Sequence, residues 1–256
     1  MRRQNYYGSL CTRMYEILHE KASEEELNFY LSYAEKGCRI LEPLCGSGRF
    51  LIPFMEWGFD ITGLDLSGEM LAQLKQKAPD AKVIQADLSE YCPKEKYDYI
   101  FIPAGSISLF TDIGLCRKIL KNLRECLSEK GKLVFSVETE ADRCPDSNGY
   151  EVSASVKTKE GFDLILKTKS FYDKMAQIQF LPGIYELYCD SKLQQREEMD
   201  FQIYLYREGE MEQYLKAAGF TQIKVYTSFS GERKTDHPGE AFLFECSMNE
   251  SCPEQK

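Results

Sequence analysis

The segment ILEPLCGSGRF, residues 40–50, carries the clearest structural signal in the chain. A short apolar run ends in an acid, Glu42, and two glycines, Gly46 and Gly48, follow at once. This order is typical of a buried strand that turns tightly into a helix. Glycine lets the backbone approach a ligand closely, and the N-terminus of the next helix points at that ligand. The segment therefore predicts a ligand site at the end of the first strand.

Strand-like and helix-like segments continue to alternate as far as Val137, which is the pattern of a parallel sheet covered by helices on both faces. Right-handed crossovers would bring the C-terminal ends of all these strands to one edge. A capping box at Ser23 and Glu26 opens the second of two helices that precede the sheet. The predicted strands are residues 39–42, 60–64, 82–86, 97–102 and 132–137, and the predicted helices are residues 9–20, 23–36, 48–57, 68–77 and 113–127.

A different pattern occupies residues 150–206, where apolar and polar residues alternate between turn residues at 160–161, 182–183 and 190–191. This predicts an antiparallel sheet with one buried face. A helix ended by Gly219 and two further strands then resume the α/β pattern. We therefore predict one α/β domain from residues 1–144 and 207–256, interrupted by an antiparallel β insertion at residues 145–206.

Composition limits the possible partners. The chain has 32 Lys and Arg against 41 Asp and Glu, a net charge of −9, so a nucleic-acid partner is not expected. Its ten cysteines include no CxxC pair and only two histidines accompany them, so we predict no metal site. The first residues lack the apolar core of a signal peptide and no stretch reaches about eighteen apolar residues, which predicts a cytoplasmic protein with reduced thiols and no membrane partner.

The charge of Glu42 indicates which ligand the glycine turn accepts. A dinucleotide fingerprint would need glycine where the chain has Leu51, and Glu42 would repel a pyrophosphate. A ligand with a cationic end suits a carboxylate better. S-adenosylmethionine has such an end.

Three segments, ILEPLCGSGRF, GLDLSGEML and VIQADLSEY, resemble the class I S-adenosylmethionine-dependent methyltransferases, and the resemblance runs from about Tyr6 to Cys246. It implies a Rossmann-like, doubly wound, seven-stranded and mostly parallel sheet. It also implies that Asp65 accepts the ribose hydroxyls, that Asp87 and Leu88 meet the adenine amino group, and that Leu66 and Met70 flank the adenine ring. Leu44 replaces the first glycine of the family pattern. The other implied cofactor contacts are Tyr7, Tyr15, Glu42, Pro43, Cys45, Gly46, Gly48, Pro103 and Ala104.

The implied activity is in-line transfer of a methyl group to a nitrogen or oxygen of a small-molecule acceptor. The insertion would then be a lid over a small polar metabolite. Its aromatic residues are by default core, and Tyr204 and Tyr206 on its other face could wall the acceptor pocket. Glu138, at the end of the fifth strand, is the predicted catalytic base. His19 reads as a partly packed surface residue. His237 is a better candidate than His19 for the pocket rim, although its polar loop favours a solvated residue.

Other interpretations stay open. Glu42, Asp65 and Asp87 could each be an ordinary cap, although three acids at successive strand ends favour binding. The chain could also bind S-adenosylmethionine as a regulator without turnover. A nicotinamide-dependent oxidoreductase is the third possibility, and Leu51 together with Glu42 argues against it.

Overall fold

The computed structural model describes residues 5–230 and 241–248, which contain one large sheet, two small sheets and six α-helices. The strands are β1 (Arg39–Pro43), β2 (Asp60–Asp65), β3 (Lys82–Gln85), β4 (Tyr97–Ile102), β5 (Leu127–Glu138), β6 (Glu151–Lys157), β7 (Asp163–Thr168), β8 (Phe171–Asp173), β9 (Ile178–Phe180), β10 (Gly183–Cys189), β11 (Lys192–Met199), β12 (Gln202–Tyr204), β13 (Gln222–Tyr226) and β14 (Ala241–Ser247). The helices are α1 (Ser9–Leu18), α2 (Glu24–Leu31), α3 (Leu51–Glu56), α4 (Gly68–Lys77), α5 (Ile113–Cys126) and α6 (Glu210–Ala218).

The large sheet has seven strands in the order β13-β14-β5-β4-β1-β2-β3. Only β14 runs against its neighbours, so the predicted mostly parallel, Rossmann-like sheet is confirmed. Alternate residues of β1 enter different cores: Ile40 packs with α2, α3 and α4, whereas Leu41 packs with α5 and α6. Helices thus cover both faces, and the C-terminal ends of β1, β2, β3 and β4 share one edge, as the sequence predicts.

Several helices are shorter than predicted. The second helix ends at Leu31 rather than at residue 36. Just after its end, the Ser32 hydroxyl donates to the carbonyl of Phe29 at 2.6 Å. The third begins at Leu51 rather than Gly48, because Gly48 has a φ of 86° that no helix accommodates. The fifth strand is longer than predicted and begins at Leu127.

The predicted capping box of α2 is only half formed. The Ser23 side chain accepts from the backbone amide of Glu26 at 3.3 Å, as expected. The Glu26 carboxylate does not return to Ser23 but accepts from the backbone amide of Ala104 at 2.9 Å. Glu26 therefore ties α2 to the loop after β4 instead of completing its own helix cap.

The insertion folds into two antiparallel sheets where the sequence suggested one. One has the order β11-β10-β7-β6 and the other β12-β9-β8. The expected continuous alternation over residues 199–206 is wrong, because the chain leaves the first sheet at Met199 and joins the second at Gln202. Tyr204 and Tyr206 consequently lie in the core below α5, where the Tyr206 hydroxyl is 3.3 Å from the sulfur of Cys116. Neither tyrosine lines a cavity described below, so both belong to the core, which was the default expectation, and neither forms a pocket wall.

Helix α1 belongs to the core of the insertion. Leu10, Cys11 and Met14 of α1 pack with Tyr185 and Met199 of the four-stranded sheet. The N-terminus of α1 has no cap from its own Gly8, and the carboxylate of Glu197 replaces it by accepting from the amides of Leu10 and Cys11 at 3.0 and 3.1 Å. The cap is supplied from β11, which fixes the helix against the sheet. Among the described residues, no helix is long and apolar enough to span a membrane.

Candidate functional site

A cavity of about 300 Å³ lies at the C-terminal edge of the large sheet. It is formed where β1, β2, β3 and β4 end, and the chain before α1 covers it. Most of the residues predicted from the sequence line this one cavity: Tyr7, Tyr15, Glu42, Cys45, Gly46, Asp65, Leu66, Met70, Asp87, Leu88, Pro103 and Ala104.

Three predicted residues do not line it. Pro43 is the buried last residue of β1. Gly48 packs below the turn, where an added Cβ would lie 2.8 Å from Leu74 Cγ, so its role is to let α4 approach the loop. Glu138 lies behind the loop after β4, against Gly105, where an added Cβ would lie 2.2 Å from its Oε1. His237 lies outside the described residues.

The loop after β1 takes its path at Leu44, where the family pattern has glycine. Leu44 has a φ of 58° and Gly46 a φ of 52°, so both lie in the left-handed region. A non-glycine residue there costs about 1–3 kcal/mol, and the surrounding contacts must impose it. One such contact is the amide of Cys45, which donates to the carbonyl of Leu64 at 3.1 Å. The loop expected from the sequence therefore forms despite the side chain at residue 44.

Glu42 is the most deeply buried acid of the site, with 2% of its surface exposed. Its Oε2 and the Nε of Arg49 are buried and have no hydrogen-bond partner among the described residues. Burial raises the pKa of Glu42 well above its ordinary value, and the charge of Arg49 opposes that rise. The Arg49 guanidinium lies 5.1 Å from the ring of Phe50 and 5.8 Å from that of Tyr15, within the range of cation–π contacts. One acid and one base thus face the same cavity with unused hydrogen-bonding capacity.

Asp65 closes β2 and holds the two loops that meet there. Its two carboxylate oxygens accept from the amides of Gly46 and Ser67, each at 2.8 Å. Burial raises the pKa of Asp65, and these backbone donors oppose the rise. Each oxygen retains a free lone pair, so Asp65 can still accept hydroxyl groups from a ligand in the cavity.

Another part of the cavity lining is largely apolar. Asp87 stands there, and its Oδ1 accepts from the amide of Ser89 at 2.8 Å. The neighbouring walls are the side chains of Leu66, Met70, Leu88, Leu109 and Phe110. An apolar slot with one carboxylate at its rim suits a heteroaromatic ring that carries an amino group.

The N-terminal segment of residues 5–7 crosses the cavity like a strap. Asn5 donates from Nδ2 to the carbonyls of Leu109 and Gln202, both at 2.8 Å. The Tyr6 hydroxyl donates to Glu69 at 2.6 Å, and the Tyr7 carbonyl accepts from Ser67 at 2.9 Å. The sequence predicts Tyr7 but gives no signal for Asn5, whose partners lie 104 and 197 residues away.

The loop after β4 forms the wall next to α2. Ala104 and Gly105 both have left-handed backbone, with φ of 55° and 62°. Their amides donate to Glu26 Oε1 at 2.9 Å and to the hydroxyl of Ser136 at 2.8 Å. Two outside groups therefore fix this strained loop, and Glu26 is a residue of the site that its helix pattern did not reveal.

The residues present fit S-adenosylmethionine. Its amino-acid end carries an ammonium and a carboxylate, which supply the partners that Glu42 and Arg49 lack. Its ribose hydroxyls can meet Asp65, and its adenine ring matches the apolar slot beside Asp87. Arg49 as a contact was missed in the sequence analysis, although its position next to Gly48 in the turn could have suggested it.

Comparison with known proteins agrees with this geometry. A methyltransferase-domain family model matches residues 40–131. A protein of Geobacillus sp. (strain WCH70) that is named as a methyltransferase is 25% identical over 223 residues, which cover 82% of this chain and 85% of that one. The matched residues contain all but the first residue of β1, the whole of β2, β3 and β4, and the acids Glu42, Asp65 and Asp87.

Solved structures share the fold at low identity. The sugar N-methyltransferase KedS8 from Streptoalloteichus sp. is 18% identical, with a TM-score of 0.73 over 98% of each chain. The S-adenosylmethionine-bound amino pentose methyltransferase CalS10 from Micromonospora echinaspora is 16% identical, with a TM-score of 0.67 over 97% of this chain and all of that one (100%). The matched domain and the shared fold therefore show a methyltransferase domain at residues 40–131 within the fold of the class I S-adenosylmethionine-dependent methyltransferases, and S-adenosylmethionine is the cofactor that this site fits.

Proposed function

We propose that the protein transfers a methyl group from S-adenosylmethionine to a nitrogen or oxygen atom of a small molecule. The observation that carries this proposal is that the buried Oε2 of Glu42 and the buried Nε of Arg49, two residues that line the same cavity, both have no hydrogen-bond partner among the described residues. The sugar N-methyltransferase with the same fold supports a small-molecule acceptor. The inserted sheets, which pack on α1 next to the cavity, support the interpretation of the insertion as a lid.

The bound cofactor supplies an activated methyl group on a sulfonium, so the main task of the protein is to position two reactants. In our proposal Glu42 and Arg49 hold the amino-acid end, Asp65 the ribose and Asp87 the adenine. Tyr7 and Tyr15 then exclude water from the space in which the acceptor meets the methyl group.

Glu138 was predicted as a base, but it does not line the cavity. Its carboxylate packs against Gly105. Its backbone amide donates to the hydroxyl of Ser108 at 2.9 Å. We therefore propose that Glu138 acts as a positioning residue for the loop of Pro103, Ala104 and Gly105. The proton released by the acceptor would then leave by another route.

Calorimetric titration of the full chain with S-adenosylmethionine, and separately with NADH, tests the proposal. Asp65→Ala should weaken S-adenosylmethionine binding about tenfold or more, because a charged acceptor is lost. Asp60→Ala is the matched control, since Asp60 begins the same strand and pairs with Lys82 at 2.6 Å at the other edge. Preference for NADH would refute the assignment. Binding with no turnover across a panel of amine and hydroxyl acceptors would favour a regulator.

A further inference from the structure

A second cavity, of about 360 Å³, lies between α1 and the four-stranded sheet of the insertion. It shares two residues, Tyr7 and Tyr15, with the cofactor cavity. Their rings meet edge to face, with centroids 5.8 Å apart and planes at 90°. These two tyrosines therefore line both cavities, which adjoin each other there.

The volume of this space argues against a simple packing defect. It is a groove that opens to solvent rather than an enclosed void, and its volume is within the roughly 300–1,000 Å³ of binding pockets. Three of the residues that line it are buried: Cys11, Met14 and Met199 are each at most 6% exposed. The cavity opens to solvent at the end of α1, where Leu18 is 47% exposed.

The chemistry of the lining restricts the ligand. In the described part of the chain, the lining includes no Lys, Arg, Asp or Glu. Burial and the charge of Arg49 lower the pKa of His19, and burial raises the pKa of Cys11 to about 12, so both groups are neutral at pH 7. A charged ligand would lose its hydration here without gaining a partner.

The remaining walls favour a ring. Met14, Met199 and Cys11 bring polarizable sulfur to the cavity, and Tyr185 and Phe201 bring aromatic faces. Sulfur and aromatic side chains both make favourable contacts with a bound ring.

We propose that this second cavity is the acceptor site, and that it takes a neutral acceptor with an apolar, ring-bearing body rather than a small polar metabolite or a phosphorylated one. The nucleophilic nitrogen or oxygen would point between Tyr7 and Tyr15 toward the cofactor cavity. This inference rests on the proposed function, because it names the substrate class of the same reaction.

Two probes with the same ring test the proposal on the full chain. Calorimetry should show saturable binding of 1-naphthol, and 1-naphthyl phosphate should bind at least about tenfold more weakly because its charge finds no partner. Binding of 1-naphthol should persist when S-adenosylhomocysteine saturates the cofactor cavity. Equal affinity for both probes, no saturable binding, or displacement of 1-naphthol by S-adenosylhomocysteine would each overturn the proposal.

A pair of adjacent residues on α1 provides matched variants. Leu18 and Ile17 are 47% and 41% exposed, and only Leu18 lines the cavity. Leu18→Lys should weaken the binding of 1-naphthol about threefold or more. It should also reduce the difference in affinity between 1-naphthol and 1-naphthyl phosphate. Ile17→Lys should change neither, and an equal loss in both variants would refute the site. Thr168→Trp, which fills the cavity from β7, should abolish binding, and the lysine pair keeps the test valid if that variant does not fold.

Separate titrations distinguish the two possible failures. Binding of S-adenosylmethionine without binding of 1-naphthol would refute only the assignment of the second cavity. Binding of 1-naphthol without S-adenosylmethionine binding would refute the transferase, and with it the description of this cavity as an acceptor site.

Discussion

At the scale of single residues, Glu42 links ligand affinity to stability. Its pKa is raised in the fold by burial, so its ionised form is disfavoured there relative to the unfolded chain. Glu42→Gln should therefore raise the free energy of unfolding of the ligand-free protein at pH 7, and the gain should fade below about pH 4.3, where the unfolded carboxyl is protonated. The same change should weaken the binding of S-adenosylmethionine about tenfold or more, because the ammonium of the ligand loses a charged acceptor.

Urea denaturation at several pH values and calorimetry on the same samples check both effects. Glu56→Gln, on the exposed side of α3, is the control and should alter neither quantity. Loss of stability at pH 7 together with unchanged affinity would show that Glu42 serves only to hold the loop.

Glu138 gives a second pH-dependent prediction. Burial, then Asp142 and Glu26, raise its pKa to about 7, so the folded chain binds a proton that the unfolded chain has already released. The free energy of unfolding should therefore fall as the pH rises from about 4.3 to about 7. In Glu138→Gln this fall should be smaller, as thermal melts across that range would show. A wild-type curve that is flat in this window, or a variant curve that matches it, would contradict the prediction.

At the scale of elements, α1 depends on a cap from another element. Glu197 of β11 accepts from two amides at the start of the helix, and Gly8 leaves room for it, since an added Cβ there would lie 2.8 Å from the carboxylate. Glu197→Ala should lower the free energy of unfolding by about 1 kcal/mol, the usual effect of a lost N-cap and its favourable dipole contact. Denaturant titration measures this effect. Glu198→Ala is the control, because Glu198 forms a surface ion pair with Arg196 at 2.9 Å, and such pairs contribute little to the free energy of unfolding.

The elements also show which features a sequence can reveal. The resemblance that implies roles for Asp65 and Asp87 rests on local signals at strand ends and glycine turns, and the strands that precede the two acids were placed within a few residues. The break at Asp200 and Phe201 was not predicted, because apolar alternation continues across it while the chain moves from one sheet to another. Two tertiary contacts were also not predicted. Glu26 was expected in a capping box but accepts from the amide of Ala104, and Glu197, which has the context of an ordinary strand residue, accepts from amides of α1.

At the scale of the whole molecule, the fold joins the insertion, the N-terminal segment and the large sheet around one cavity. Asn5 makes the joint: it donates to Leu109 beside the cofactor slot and to Gln202 of the insertion, and it accepts from the amide of Gln202 at 2.8 Å. Its φ of 52° is left-handed, which Asn tolerates better than most residues. The strap over the cofactor cavity is thus held from both sides through one side chain.

Removing this joint should raise the dissociation rate of the cofactor-site ligand more than it changes the association rate. Asn5→Ala deletes three hydrogen bonds that hold the strap, and Asn5 is not among the groups proposed to bind the cofactor, so we expect S-adenosylhomocysteine to dissociate about fivefold faster with a smaller change in association rate. Stopped-flow displacement measures both rates, and Asn28→Ala, at an exposed position of α2, is the matched control. If the strap covers the cavity, the acceptor probe 1-naphthol should keep its affinity in Asn5→Ala, since its site lies behind Tyr7 and Tyr15. An unchanged dissociation rate would mean that the strap does not close the cofactor cavity. If the affinity for 1-naphthol also fell in Asn5→Ala, Asn5 would instead hold the whole insertion in place.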